Sequence, residues 1–217
     1  EAGLTLPVVC NTSGYELPEV VQKVSSVIDI WLTDVKYADP KLAKELSYAA
    51  DYPEMSMAAL KVMHDSVMSR GGRKLDDDGR MLQGIIVRHL VMPTHADDSC
   101  EVLNRVWNLC HNDVDVSIMN QYTPNERMRA TGGPLSKTLS DEEYERMTWA
   151  LKTCGGRRVE PSLRVLFQPL MQQELKVLRS SLVLLTVEML TTATLLQASP
   201  IHKLRSNHVC RETRRAP

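Results

Sequence analysis

IIVRHLVMPTHADDS, residues 85–99, opens as an apolar run, carries Arg88 and His89 inside it, and closes in a proline turn and a cluster of Asp and Ser. A run of this length reads as a buried strand. Asp97, Asp98 or Ser99 then supplies the N-terminal end of a helix predicted to reach Leu109. A strand that passes directly into a helix is half of a parallel crossover unit. A charged side chain in a buried strand must be paired or must line a cavity, so Arg88 and His89 mark a candidate site.

The same pattern repeats on either side. Leu6-Pro-Val-Val-Cys10 is a short apolar run ending in Asn11-Thr-Ser-Gly14, and a helix is predicted from Pro18, with Val20, Val21, Val24, Val27 and Ile28 on one face. Asp29 to Val35 reads as the second strand. Asp39 is the expected N-cap of the next helix, with Pro40 in its first turn, where a missing N–H costs nothing. A longer helix is predicted from Pro53 to Met68, the third strand from Gly84 to Met92, and the fourth from Val114 to Met119. Residues 71–84, rich in Gly and Asp, read as a surface loop; Asp76-Asp-Asp-Gly79 lacks the spaced ligands of a calcium loop. Ser140-Asp-Glu-Glu143 matches a capping box and predicts a helix to Lys152, ended by Gly155-Gly156.

Alternating strands and helices predict an α/β fold with parallel pairing. In such a sheet the C-terminal strand ends open on one face, so polar residues distant in sequence can converge there. The strand ends offer Asn11 and Thr12, Asp34 and Lys36, Arg88, and Gln121-Tyr-Thr-Pro124. Each has a plain reading as well: a simple turn at residues 11–14, an exposed ion pair for Asp34 with Lys36, and an ordinary turn at 121–124. An acid and a base two residues apart on one side of a strand suit a zwitterion such as an amino-acid moiety.

The net charge of −1 hides a division, since residues 1–156 hold 16 Lys+Arg against 23 Asp+Glu, whereas residues 157–217 hold 10 against 4. The basic tail is expected to form a short strand near Val165 to Phe167, a long helix from Gln172 to Leu196, and a disordered end from Ser199. Its arginines lack the interleaved aromatic residues of a single-strand binder, so nucleic acid is not the expected partner. Leu182 to Leu196 is shorter than the roughly 20 residues a membrane span needs. Five cysteines without CxxC spacing indicate neither a disulfide framework nor a local metal site, and no signal peptide is visible, so a reducing cytoplasm is expected.

Taken in order, NTSGY at 11–15, DIWLTDVKYAD at 29–39, IIVRHLVMPTHADDS at 85–99 and VDVSIMNQYTP at 114–124 resemble the C-terminal half of a radical S-adenosylmethionine protein related to the activating enzyme of pyruvate formate-lyase. SDEEYERM at 140–147 resembles the start of that subgroup's last helix. The resemblance implies a partial (β/α) barrel over residues 1–156, followed by a basic, mainly helical extension over 157–217. It also implies a four-iron, four-sulfur cluster that reduces S-adenosylmethionine to a 5'-deoxyadenosyl radical.

By the same resemblance, Asn11 and Thr12 border the cofactor, and Asp34 and Lys36 meet its amino-acid moiety. Arg88 and the backbone at Leu90 make further contacts, and Gln121 and Tyr122 form the rim near the adenosine. The activating enzymes have Asp at the position of Asn11 and His at that of Thr123. The three-cysteine CxxxCxxC motif belongs to the family's other half, so no catalytic or cluster-ligating residue is assigned here. The expected partners are a missing N-terminal segment or complementary chain and a glycyl-radical protein. Two readings follow: part of a radical enzyme, inactive alone, or a non-catalytic remnant or interaction module.

Overall fold

The structure, a computed structural model, describes residues 6–142, 144–145, 164–167 and 183–185. In chain order the strands are β1 (Val8–Thr12), β2 (Ile30–Asp34), β3 (Lys74–Leu75), β4 (Met81–Leu90), β5 (Asp115–Met119), β6 (Arg164–Phe167) and β7 (Val183–Leu185). The helices are α1 (Pro18–Val24), α2 (Pro40–Ser47), α3 (Tyr52–Ser69), α4 (Ala96–Cys110) and α5 (Glu126–Thr131). The sheet runs β6-β5-β4-β2-β1-β7, with every one of these neighbours parallel, and β3 pairs antiparallel with β4. The α/β class with a parallel sheet is therefore as the sequence predicts.

Register decides what each face holds, because partnered residues of parallel strands point the same way. Cys10 pairs with Trp31, Trp31 with Ile85, and Val87 with Val116. These side chains share one buried cluster with Val21 of α1, Leu60 and Met63 of α3, and Leu103 and Val106 of α4. The other face carries a smaller apolar group, Val9, Ile30, Leu32, Met81 and Ile86, and the polar strand ends described below. α2 joins neither; its Leu42 and Ala43 pack with Tyr37, Tyr52 and Met92 at the C-terminal end of the sheet.

Capping chemistry sets the helix starts. The Asp39 carboxylate accepts from the Lys41 N–H at 2.8 Å, as expected of an N-cap before Pro40. α5 lies in a stretch that gives no periodic signal; the Asn125 side chain caps it by accepting from the Met128 N–H at 2.9 Å.

Three expectations are corrected. Residues 71–84 are not simply a loop, because β3 and the start of β4 form a hairpin there. Asp76 Oδ1 accepts from the Asp78 and Arg80 N–H groups at 3.0 and 2.8 Å, and Gly79 takes φ +78°. The Asp-Gly run is thus the hairpin's turn, whose strands are too short to show alternation. Residues 183–185 are a strand paired with β1, not part of a helix, since a short apolar run does not separate the two by periodicity. Cys100 is disulfide-bonded, which local cysteine spacing does not reveal.

β6 falls where the short strand near Val165 is expected. The rest of the predicted extension, its disordered end, and most of the predicted helix to Lys152 lie outside the described residues. Among the described residues no helix is long and apolar enough to cross a membrane.

Candidate functional site

β1, β2 and β4 bring three polar side chains to one face at adjoining positions. Arg88 is the register partner of Asp34, and Asn11 that of Leu32, two residues before Asp34 on the same face. Arg88 Nε donates to Asp34 Oδ1 at 2.8 Å, and Arg88 Nη2 donates to Asn11 Oδ1 at 2.7 Å and lies 2.7 Å from Asp34 Oδ1. The guanidinium thus spans three strands. Lys36 Nζ stands 3.7 Å from Asp34 Oδ2, outside hydrogen-bonding range, with its side chain 38% exposed against 18% for Asp34. Two cations face one carboxylate, and Oδ2 and the ammonium are both left able to take a ligand's opposite charge.

Behind this network the backbone is clamped. The Tyr52 hydroxyl donates to the Ser13 carbonyl at 2.7 Å, lies 3.2 Å from the Asp34 carbonyl, and accepts from the Lys36 N–H at 3.3 Å. One buried phenol therefore ties the end of β1 to both residues of the acid-base pair. Burial, then the Asp34 charge, raises its pKa, so it remains a donor. Tyr15 stacks on it at 5.7 Å and Tyr37 meets it edge-on at 5.5 Å. The Tyr15 hydroxyl is pushed up to about 12 by its hydrogen bond to Asp51, with burial second. Glu16 is buried beside the end of β1, where Thr12 Oγ1 donates to its Oε1 at 2.5 Å; burial raises its pKa and the Thr12 bond opposes the rise.

Of the predicted residues, Asn11, Asp34, Lys36 and Arg88 come together. Thr12 follows Asn11 and faces the other way, engaging Glu16. Leu90 ends β4 as the partner of Met119. Gln121 is exposed, with its side-chain amide 3.6 Å from the Met119 sulfur. The Tyr122 hydroxyl donates to the Leu135 carbonyl at 2.8 Å, and its ring packs with the Tyr37 and Tyr52 group. These four lie around the network without a hydrogen bond into it among the described residues. The aromatic clamp escapes sequence reading because Tyr52 opens a helix and carries no strand-end signal.

His89 is a correction: it belongs to the core, not the site. Its ring is 1% exposed, with Nδ1 at 2.8 Å from the Val35 carbonyl and Nε2 at 2.8 Å from Ser99 Oγ. A neutral ring that donates from Nδ1 and accepts at Nε2 satisfies both contacts. Burial lowers its pKa below the ordinary 6.5, so its contribution is complete above pH 6.5 and is lost as pH falls from there toward the folded value. We expect unfolding free energy to fall by up to about 1.4 kcal/mol per pH unit in that window relative to His89→Gln. Glu16, with a raised pKa, has the opposite slope and loses its contribution as pH rises, so the variant comparison isolates His89. Parallel urea curves for the two proteins at pH 7.0 and 5.5 would sink the assignment.

Two groups implied by the resemblance can be tested against these residues. The acid-base pair and the Asn11 amide fit the amino-acid end of S-adenosylmethionine. An iron-sulfur cluster is not fitted: among the described residues no three His, Cys, Asp or Glu side chains form a metal-binding group. Burial pushes the Cys10 and Cys110 thiols up to about 11 and 12, unlike thiolate ligands.

No protein-family model matches the chain. An uncharacterized protein of Methanocaldococcus jannaschii is 26% identical over 144 residues, which cover 65% of this chain and 36% of that protein. Among solved structures, 2,3-dimethylmalate lyase, a PEP mutase/isocitrate lyase superfamily member, aligns with a TM-score of 0.33 at 12% identity. That alignment covers 88% of this chain and 66% of the other.

Proposed function

We propose that this chain is the cofactor-holding part of a radical S-adenosylmethionine enzyme similar to the activating enzyme of pyruvate formate-lyase. The observation that carries the reading is the Asn11–Arg88–Asp34 network with Lys36 beside it, on one face at the C-terminal ends of adjacent parallel strands. In a partial (β/α) barrel that face is the interior, where a ligand meets several strands at once.

Lys36 pairs with the ligand carboxylate and Asp34 Oδ2 with its ammonium. Arg88 holds Asp34 Oδ1 and the Asn11 amide in place, so the acid is oriented before the ligand arrives. Tyr52 fixes the backbone of Asp34 and Lys36. Leu90, Gln121 and Tyr122 border the site, and Thr12 supports the β1 turn. S-adenosylmethionine held by Lys36 and Asp34 would supply a 5'-deoxyadenosyl radical for hydrogen abstraction on receiving one electron from a cluster carried by the partner, with methionine as the leaving group. The described residues offer the iron-sulfur cluster no ligands, so delivery of that electron is not assigned to any of them. In this reading a partner carries the CxxxCxxC ligands, as another segment of the protein or a separate chain. The substrate is a glycyl-radical protein.

Ligand-dependent melting tests the proposal. At S-adenosylmethionine concentrations near 100 Kd the wild-type protein gains about 2.7 kcal/mol of stability. Lys36→Ala loses one partly exposed charge-assisted bond, and its affinity should fall roughly tenfold. A wild-type melting temperature unmoved by millimolar ligand, or equal affinity in the variant, would remove the assignment.

One observation favours a second reading, a non-catalytic interaction module. The edge of β1 is occupied, with Val8, Val9 and Cys10 paired to residues 183–185 of β7. A strand of a further segment could complete a barrel beside β1 only by displacing β7, which weighs against the enzyme reading. A protein insensitive to S-adenosylmethionine would support this alternative.

A further inference from the structure

One buried acid beside the end of β1 takes no part in the network that meets the ligand. Glu16 is 4% exposed, and its Oε1 accepts from Thr12 Oγ1 at 2.5 Å. Among the described residues no Lys, Arg or His pairs with it. The titratable groups that its charge reaches are the Cys10 thiol of β1 and the Tyr52 phenol of α3, both held neutral by burial.

The contact continues toward the site. The one proton of the Thr12 hydroxyl goes to Glu16, so the oxygen is left as an acceptor, and the Gly14 N–H donates to it at 3.1 Å. Gly14 lies so close to the end of β2 that an added Cβ would be 2.0 Å from the Asp34 carbonyl oxygen. Tyr52 joins the Ser13 and Asp34 carbonyls across the same turn. Glu16 therefore reaches Asp34 through two hydrogen bonds and one backbone contact.

We propose that Glu16 is a positioning residue of the ligand site, acting through Thr12 and the Gly14 turn on Asp34, and that a proton on its buried carboxyl keeps the turn in place. The inference rests on the proposed function above, because the ligand is the one assigned there to Asp34 and Lys36. A carboxylate buried without a cation needs several donors, and Thr12 supplies one. Burial accordingly raises the Glu16 pKa above the ordinary 4.5, with the Thr12 bond opposing the rise. The neutral acid fits, since its carbonyl oxygen still accepts from Thr12. Ionisation is relieved by turning the carboxylate toward water, which takes the acceptor away from Thr12 and loosens the Gly14 turn. The contribution of Glu16 is thus complete below pH 4.5 and is lost as pH rises through its folded value, and ligand affinity follows the same direction.

Glu16→Gln, which keeps an acceptor for Thr12 and cannot ionise, and Glu16→Leu, which removes the acceptor, test this in the full chain. S-adenosylmethionine affinity is measured by calorimetry at pH 5.0 and 8.0. The ligand's own amino group titrates at about 7.7–8.0, so each protein is compared with Glu16→Gln at the same pH. We expect the ratio of wild-type to Glu16→Gln affinity to fall about fivefold from pH 5.0 to 8.0, and Glu16→Leu to bind about tenfold more weakly than Glu16→Gln at both. A role confined to stability would lower melting temperatures and leave that ratio flat. In unliganded protein with isotope-labelled glycine, the Gly14 amide resonance should move with pH in the wild type and stay in place in Glu16→Gln.

A flat affinity ratio, or a wild-type Gly14 amide that does not move, overturns the part played by the proton. Equal affinities of Glu16→Leu and Glu16→Gln overturn the positioning role. Either result leaves the proposed function standing if the wild-type protein binds S-adenosylmethionine. A wild-type protein that binds none at either pH overturns the proposed function, and this inference with it. If Glu16→Leu does not fold, the wild-type to Glu16→Gln ratio and the Gly14 amide decide.

Discussion

Gly14→Ala is expected to lower the melting temperature by roughly 6–12 °C, equivalent to a loss of about 3 kcal/mol or more at about 2–4 °C per kcal/mol for a chain of this size. Gly14 has φ +80°, a conformation that costs an L residue about 1–2 kcal/mol. That strain is the smaller part. A Cβ there would lie 2.0 Å from the Asp34 carbonyl oxygen and 3.1 Å from its carbon. The obstacle is backbone and cannot rotate away. Relief requires the end of β1 to part from the end of β2, which breaks the bridge that Tyr52 makes between Ser13 and Asp34.

Gly79→Ala is the control. Its φ of +78° is nearly the same, but no atom lies within 4 Å of the added carbon, so it should cost only the conformational strain. Scanning calorimetry of the two variants separates the effects, and equal losses would show that the close approach at Gly14 does not matter. Because the contact is with Asp34 itself, Gly14→Ala should also weaken whatever binds at the strand ends.

This dependence explains what the sequence could and could not reveal. Strand and helix order is legible because each unit is local: an apolar run, a polar turn, then a capped helix, as at Asp39-Pro40. The convergence of Asn11, Asp34, Lys36 and Arg88 is legible too, since parallel strands of similar length must bring their C-terminal residues together. Orientation within a pair of neighbours is harder. Arg88 and His89 look equivalent as polar intrusions in one strand, yet alternation sends the first to the face that carries Asn11 and Asp34 and the second to the helix layer, where Val35 and Ser99 await it. The aromatic clamp is invisible for a different reason: its role comes from contacts across elements, and a tyrosine at a helix start has many ordinary uses. β7 is misread because three apolar residues carry no period.

The opposite end of the sheet supplies the second large effect. Arg73 Nε and Nη2 both donate to Asp115 Oδ2, at 3.1 and 3.0 Å, where β5 begins and where Asp115 partners Ile86 on the same face as Arg88. The carboxylate side chain is 5% exposed and the guanidinium 22%. The segment that carries Arg73 is itself anchored, because Gln83 Nε2 of β4 donates to the Gly72 carbonyl at 2.5 Å. Arg73→Ala removes both of these hydrogen bonds from a carboxylate that stays buried.

Loss of one partner of a buried pair costs about 3–5 kcal/mol, and the partial exposure of Arg73 places this case near the lower bound, a fall of roughly 6–12 °C. The pair itself contributes far less than its rupture costs, since both charges were desolvated to form it. Arg73→Met combined with Asp115→Leu should therefore recover part of the loss. Urea denaturation of the single and double variants tests the distinction. A double variant as unstable as Arg73→Ala would mean that the ion pair itself, and not the cost of stripping Arg73 from a buried carboxylate, holds this end of the sheet together.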